Sequence, residues 1–198
     1  MFKALPIAFV LTAMAAAASA QPTTCTPTRA DTERLSRLEQ AWRDGRGDAI
    51  KGGAAEALRR LGPTADPRIR LNRPQPTPGA YQCRTIKLGA AREGMLPYVA
   101  YGWFRCRVTL TPGGDLILEK TNGSQRPVGL VCPDDRYKAR FVGVLELGDE
   151  ARTPRYGSEP DRDLIGEVRR IGENRWRIAF PWPAYESKLD ILELRRTR

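Results

Sequence analysis

Short runs with a period of two residues, separated by turn sequences, dominate the chain from Ala80 onward. In the run Gly102 to Thr111, apolar and polar residues alternate as they do in a strand that is buried on one face. Eight consecutive strands joined by short turns would leave two long edges in an open sheet, so the sequence predicts an antiparallel meander closed into an eight-stranded barrel. A two-sheet sandwich is the alternative. The predicted strands are Tyr81 to Leu88, Gly102 to Thr111, Leu116 to Thr121, Ser124 to Val131, Ala139 to Leu147, Leu164 to Ile171, Arg175 to Pro181 and Leu189 to Arg195.

One predicted turn concentrates polar side chains. Asn122-Gly123 is a strong hairpin signal, and charged and amide residues surround it closely. Such a cluster is either a recognition site or a structural hydrogen-bond network at a barrel rim. Trp176 lies between two arginines, and Trp182 lies between two prolines, so both are expected to be partly exposed. The candidate binding residues are Glu119, Lys120, Ser124, Gln125, Arg126 and Trp176.

The N-terminus reads as an export signal. Lys3 precedes an apolar run, and Ala18-Ser19-Ala20 is a small-residue cleavage sequence, so the mature chain is expected to begin at Gln21. The run is too short for a transmembrane anchor. We therefore predict an exported protein, periplasmic or secreted, with a signal peptide at 1–20, a helical segment at 21–62, a proline-rich connector at 63–79 and a β-barrel domain at 80–198.

The segment before the barrel carries helical periodicity in two stretches, interrupted by Gly45-Arg46-Gly47. Two short helices are predicted, the first capped by Thr28 or Asp31 and the second ended by Gly62-Pro63. Five prolines between residues 63 and 79 indicate an extended connector.

Four cysteines in an exported chain favour disulfides over metal ligation or catalysis. Cys83 and Cys106 lie on two runs that would form a hairpin centred near Gly94, which favours a cross-strand bridge. Cys25 and Cys132 would then pair with each other, with free thiols as the alternative.

Many catalytic chemistries are excluded by composition. The chain has no histidine, which removes Ser-His and Cys-His nucleophile pairs and the commonest zinc ligand. Phosphate-loop, calcium-loop and Gly-x-Ser-x-Gly motifs are missing, so no metal or cofactor is predicted. Carboxylates remain available for a glycosidase-type mechanism, although turn and ion-pair roles are favoured for them, and an enzyme is not the preferred interpretation. The carboxylates considered are Glu119, Asp134, Asp135, Asp161, Asp163 and Glu186.

The net charge of the chain indicates which classes of partner it could bind. The sequence has 33 Lys and Arg against 23 Asp and Glu, a charge of +10, and removing Lys3 with the signal leaves +9. In an exported protein this charge points to an anionic cell-envelope component, a small molecule or a protein rather than to nucleic acid. The basic residues are scattered along the sequence, so general solubility is the competing explanation.

Several segments together resemble the exported bacterial domain of unknown function 4893 family, a resemblance that implies an exported domain and supplies no catalytic residues. They are Pro78 to Gly89, Phe104 to Arg107, Glu119 to Pro127, Tyr156-Gly157, Arg175-Trp176 and Glu186 to Leu194. Gly79-Ala80-Tyr81 is also similar to the Gly-x-Trp that opens the first strand of lipocalin-like barrels, with Tyr in place of Trp. Three functions follow as hypotheses: a non-catalytic binding or interaction module of the cell envelope, a carboxylate-based hydrolase of envelope polysaccharide, and a protease inhibitor of the lipocalin-like type.

Overall fold

The computed structural model describes residues 24–148 and 150–197, so the predicted export signal lies outside the described residues. Three helices precede the sheet: α1 (Arg29–Ser36), α2 (Leu38–Lys51) and α3 (Ala55–Leu61), the last followed by a 3-10 turn at Gly62–Ala65. The strands are β1 (Gly79–Ala90), β2 (Tyr98–Ala100), β3 (Phe104–Leu110), β4 (Leu116–Lys120), β5 (Gln125–Pro133), β6 (Ala139–Leu147), β7 (Asp163–Gly172), β8 (Arg175–Pro181) and β9 (Ser187–Arg196).

The strands form a closed eight-stranded antiparallel barrel, which confirms the predicted fold class. Each strand from β3 to β9 pairs with the next, and β1 closes the barrel by pairing with β9 from Tyr81↔Arg196 to Ala90↔Ser187. On its other side, β1 pairs with β3 along its first half and with the short β2 along its second half. The additional strand β2 therefore continues the position of β3 beside β1, and the barrel still has eight strands around its circumference.

The turn after β4 differs from a tight two-residue hairpin. Glu119 pairs with Val128, whereas a two-residue Asn-Gly turn would place Glu119 opposite Arg126. The Asn122 side chain accepts a hydrogen bond from the Arg105 backbone N–H of β3 at 2.7 Å, and Lys120 donates to the Gln125 carbonyl at 2.8 Å. These bonds to neighbouring backbone replace the ladder that the shorter turn would have formed.

The helices pack on the outside of the barrel, with α2 over β1, β8 and β9 and α1 mainly over β7. Trp42, Ala49, Leu58 and Leu61 are buried against outward-facing apolar residues of those strands, such as Ile86. Because these strands are apolar on both faces, the helical segment completes a second hydrophobic layer and is an integral part of the fold. Thr28 caps α1 by accepting a hydrogen bond from the Asp31 N–H at 3.2 Å, as predicted.

The prediction that Gly45-Arg46-Gly47 separates two helices was wrong. These residues lie inside α2, and the helices are divided instead at Arg37 and at Gly52 to Ala54. Gly45 is buried against β1, where an added Cβ would lie 3.0 Å from the Leu88 carbonyl oxygen. Gly89 of β1 has φ +75° and lies against Gly45, so that a Cβ added at Gly89 would be 2.9 Å from the Gly45 Cα. The glycine at position 45 thus permits close approach of a helix to a strand and does not end the helix.

Two disulfides are present, Cys83–Cys106 and Cys25–Cys132, the pairings expected from the sequence. Cys83 and Cys106 both face the barrel interior, offset by two residues in the register because Cys106 pairs with Tyr81. Cys25–Cys132 ties the segment before α1 to β5. Among the described helices, none has the length and apolar character needed to cross a membrane.

Candidate functional site

The hairpin residues occupy both faces of the barrel wall. Lys120 points inward with 6% of its surface exposed, and its ammonium lies 3.8 Å from the centre of the Phe104 ring. Burial lowers the pKa of Lys120 to about 8, assisted by the positive charges of Lys87 and Arg126. Glu119 follows the strand alternation and points outward, away from Lys120. The turn therefore does not gather its charged groups around one point.

Arg126 is engaged entirely in holding neighbouring loops. Its guanidinium pairs with Glu146 and donates to the carbonyls of Gly123, Leu147 and Gly148. A guanidinium that satisfies three backbone carbonyls and a carboxylate fixes the two loops relative to each other. Ser124 is exposed on the same turn. Among the candidate residues, the described structure shows one hydrogen bond, from the Lys120 ammonium to the Gln125 carbonyl.

The expected partial exposure of Trp176 was wrong. Trp176 is 4% exposed and packs inside the barrel, edge to face against Tyr81 with ring centroids 5.7 Å apart. Its neighbours Arg175 and Arg177 point outward, so strand alternation directs the indole inward. Trp182 is partly exposed, with the Arg37 guanidinium 4.5 Å from its ring centre.

The barrel interior is filled by side chains. Sixteen buried residues form one core cluster that runs from Tyr81 to Leu194, and the Phe141 ring lies across Gly129 and Gly143. The remaining space at the mouth near Lys87 and Asp190 is about 30 Å³. Since one water needs roughly 10–15 Å³ by this kind of measure, this cavity holds about two waters and is too small for an organic ligand. The protein therefore shares a closed eight-stranded barrel with lipocalin-like proteins, and side chains pack the described interior of that barrel.

Ion pairs close the barrel mouth. Lys87 is 5% exposed and lies 3.0 Å from Asp190 and 3.1 Å from Glu186. Burial alone would lower the pKa of Lys87, but the two carboxylates outweigh it and raise the pKa. Arg162 donates to the Leu145 carbonyl at 2.7 Å and to Glu150 at 2.8 Å. The polar groups at this end are paired with one another, which is the arrangement of a structural network.

The carboxylates considered for catalysis are dispersed. Asp134 and Asp135 pair with Lys138 in the turn after β5, and Asp163 accepts from the Gly157 N–H at 2.8 Å. Asp161 lines the small cavity at the barrel mouth together with Glu186, and it lines a separate depression beside α1 together with Asp163. No group of three or more Cys, Asp or Glu within residues 24–148 and 150–197 is arranged to hold a metal ion.

A large groove lies outside the barrel, between α2 and the connector, and we name it the arginine groove. Its volume is about 720 Å³. A second depression of about 650 Å³ continues it along the connector and shares Arg46, Ile50, Pro67 and Arg68 with it. The arginine groove is lined by Leu38, Glu39, Trp42, Arg43, Arg46, Gly47, Ile50, Pro67, Arg68, Arg70, Glu167 and Arg169.

The positive charge of the arginine groove is only partly neutralised. Arg68 pairs with Asp66 at 2.9 Å, and Arg169 pairs with Glu167 at 2.7 Å. The hydrogen bonds from Arg68 hold the pKa of Asp66 at about 2. Within the part of the chain that the structure describes, the other three arginines of the groove lie beyond salt-bridge distance of any carboxylate. These arginines are Arg43, Arg46 and Arg70. Arg46 donates to the Ala65 carbonyl, and the Arg70 guanidinium lies 5.9 Å from the centre of the Tyr137 ring.

A buried guanidinium adds positive charge beneath the groove. Arg177 of β8 is completely buried, 4.9 Å from the ring centre of Trp42, and donates to the carbonyls of Pro63 at 3.1 Å and Asp66 at 2.6 Å. Its Nε and Nη2 atoms have no hydrogen-bond partner among the described residues. Burial lowers the pKa of Arg177 to about 10. Because no carboxylate is bound to the Arg177 guanidinium, its positive charge is not neutralised locally and strengthens the attraction of the groove surface for anions.

Sequence reasoning missed this groove because its arginines come from three separate elements. Arg43 and Arg46 lie on α2, Arg68 and Arg70 on the connector, and Arg169 on β7. The available signal was the helical spacing of Leu38, Trp42 and Arg46 on one face of α2 together with the Arg-x-Arg pair of the connector.

Fold and surface together define a disulfide-linked β-barrel domain with a filled interior and a basic external groove. The chain belongs to the family described as Domain of unknown function (DUF4893), whose model matches residues 24–194. No match was found among curated proteins or among solved structures.

Proposed function

We propose that this protein is an exported, non-catalytic binding module that recognises an anionic component of the cell envelope through the arginine groove. The observation that carries the proposal is the set of three arginines, Arg43, Arg46 and Arg70, that surround an apolar floor without carboxylate partners in the described residues. Arginine binds carboxylates and phosphates through paired N–H donors, so such a set favours an anionic ligand.

Two further features support this assignment over the alternatives. The cavity at the barrel mouth is only about 30 Å³, which favours recognition on the exterior. Four of the acidic residues considered for hydrolysis, Asp134, Asp135, Asp163 and Glu186, are engaged in turn hydrogen bonds or ion pairs. The larger groove is lined by five arginines and two glutamates. Two disulfides fit an oxidising, extracytoplasmic compartment.

Binding of polyanions by the purified protein tests the proposal. We expect fluorescein-labelled polyglutamate and inorganic polyphosphate to bind, and to bind more weakly as salt concentration rises. The double variant Arg43→Gln/Arg70→Gln should weaken binding at least tenfold. A matched control is Arg92→Gln/Arg152→Gln, which removes two exposed loop arginines elsewhere on the surface. Equal binding by the two double variants, or no polyanion binding by the parent, would overturn the proposal.

A further inference from the structure

The floor of the arginine groove is apolar, and its upper edge is an exposed aliphatic side chain. Leu38 and Trp42 form the floor from α2, and Ile50 leaves 49% of its surface exposed at one end. A ligand that supplied only negative charge would leave this apolar surface in water. The groove is therefore suited to a ligand that carries both carboxylates and an aliphatic group.

The dimensions of the groove limit the ligand further. Leu38 and Ile50 are separated by almost the full length of α2, and the rise of a helix makes that distance about 18 Å. An extended polypeptide covers the same distance with about five residues. A groove of about 720 Å³ with this length fits a short extended segment better than it fits a compact small molecule.

The shape of the groove argues against a lipid surface. Its arginines lie on two sides, Arg43 and Arg46 on α2 and Arg70 on the connector, with Leu38 and Trp42 on the floor between them. A bilayer binds projecting apolar side chains that can enter it, and it cannot reach the floor of a concave groove. Trp42 is 5% exposed, and its ring already packs against Arg177, so the accessible apolar surface of the groove comes from the aliphatic side chains of Leu38 and Ile50, which offer no aromatic face for a sugar ring to stack on.

From these observations we infer that the arginine groove binds an extended, acidic segment of a partner protein, with an aliphatic side chain on the floor and flanking carboxylates paired with Arg43, Arg46 and Arg70. This inference rests on the proposed function and names the class of partner for it. Arg169, which is largely buried, stays paired with Glu167 and forms a fixed part of the wall, whereas the exposed Arg68 pairs with Asp66 at the surface. Recognition by preformed walls limits the conformational entropy that is lost on binding.

Four probes of different chemistry test the inference by fluorescence anisotropy or co-sedimentation. The first peptide has the sequence Glu-Glu-Leu-Glu-Glu, the second replaces its leucine with glutamate, and the third replaces its glutamates with lysine. Vesicles that contain anionic phospholipid are the fourth probe. We expect the leucine-containing acidic peptide to bind at least tenfold more tightly than the all-glutamate peptide, because burying one leucine side chain on binding supplies a factor of that size. The lysine peptide should not bind.

Two variants separate the charged and apolar contributions. Arg43→Gln/Arg70→Gln should weaken binding of both acidic peptides. Ile50→Ser, at an exposed position, should weaken the leucine-containing peptide more than the all-glutamate peptide and so reduce the preference for leucine. Thermal unfolding of each variant checks that it is folded.

The outcomes distinguish this inference from the broader proposal. Equal affinity for the two acidic peptides, or binding of anionic vesicles that competes with the peptides, would overturn the peptide inference while leaving an anion-binding groove. Absence of binding by every anionic probe, including polyglutamate and polyphosphate, would overturn both.

Discussion

Glu193 is the buried centre of an ion-pair network on the outer face of β1, β8 and β9, and its replacement should be strongly destabilising. The Glu193 carboxylate is fully buried and accepts from Arg84 at 2.8 Å, Arg175 at 2.7 Å and Arg195 at 3.0 Å. Arg84 and Arg195 also pack against the Trp103 ring, at 4.7 and 4.5 Å from its centre. The variant Glu193→Gln would keep the shape of the side chain and leave three guanidinium groups around a neutral amide.

The size of the loss follows from the burial of the network. Removing one partner of a buried ion pair costs about 3–5 kcal/mol. The arginine side chains are 20%, 30% and 44% exposed, so solvent screening reduces the loss, and we expect about 3 kcal/mol. For a domain of this size, that loss corresponds to a fall in Tm of about 6–12 °C.

Guanidinium unfolding followed by tryptophan fluorescence, without reductant, measures this change. Glu119→Gln is the matched control, because Glu119 also faces outward from the barrel and has no ion pair among residues 24–148 and 150–197. The control should change the free energy of unfolding by about 0.5 kcal/mol or less. A loss below 1 kcal/mol for Glu193→Gln, or a loss equal to that of the control, would refute the reasoning.

The same network predicts a pH dependence. Burial acts to raise the pKa of Glu193, but hydrogen bonds from Arg175, Arg84 and Arg195 outweigh it and hold the pKa below its ordinary value of 4.5. A carboxyl group with a lowered pKa in the folded state stabilises the fold above its unfolded pKa, and the contribution is lost as pH falls through the folded value. The difference in unfolding free energy between the parent and Glu193→Gln should therefore be constant above about pH 5 and shrink below it.

Three further predictions test other parts of the structure. Gly47→Ala should stabilise the protein by about 0.5–1 kcal/mol, since nothing lies within 4 Å of the added Cβ and alanine favours the helical state of α2. Gly45→Ala should give no gain or a loss, because its Cβ would lie 3.0 Å from the main chain of β1. Thermal unfolding of the two variants measures the contrast. The free energy of unfolding of the parent should rise with pH above about 8, because Lys120 loses its proton in the folded state while the unfolded chain still retains it. This rise should be smaller in Lys120→Met. A pH series of unfolding free energies for both proteins measures the difference. The double variant Cys25→Ser/Cys132→Ser should lose about 4–5 kcal/mol of unfolding free energy, because the disulfide closes a loop of 107 residues in the unfolded chain. A loss below 1 kcal/mol in non-reducing guanidinium unfolding would contradict stabilisation through the entropy of the unfolded chain.

The strand alternation was sufficient to predict most of the barrel. The bounds of β6 and β8 agree with the predicted runs, and other strands differ by a few residues at their ends. Closure through β1 and β9 was predicted only in principle, because their register depends on the tilt of all the strands between them. The error at Trp176 had a local cause: arginines on both sides were taken as a sign of exposure, although in a strand they place the residue between them on the opposite face.

The candidate site was harder to predict than the fold, because binding surfaces depend on how distant elements meet. The hairpin residues are adjacent in sequence, yet Lys120 faces the core while Glu119 faces outward. The arginines of the groove are distant in sequence and adjacent in space. Periodicity assigns each residue to a face of its own element, and it carries no information on which connector segment lies beside which helix.

Arg177 links the groove to the barrel. Its side chain extends outward from β8, packs against Trp42 of α2 and donates to carbonyls at Pro63 and Asp66 of the connector. One buried residue of the sheet thus fixes the helix wall and the connector wall of the arginine groove relative to each other. A groove held in this way keeps its shape before a partner arrives, so its affinity should depend on the contacts that line it and only weakly on ordering of the chain. This coupling explains how a barrel packed with side chains can still present a preformed external groove: the closed sheet acts as the rigid support on which the helices and the connector form the candidate site.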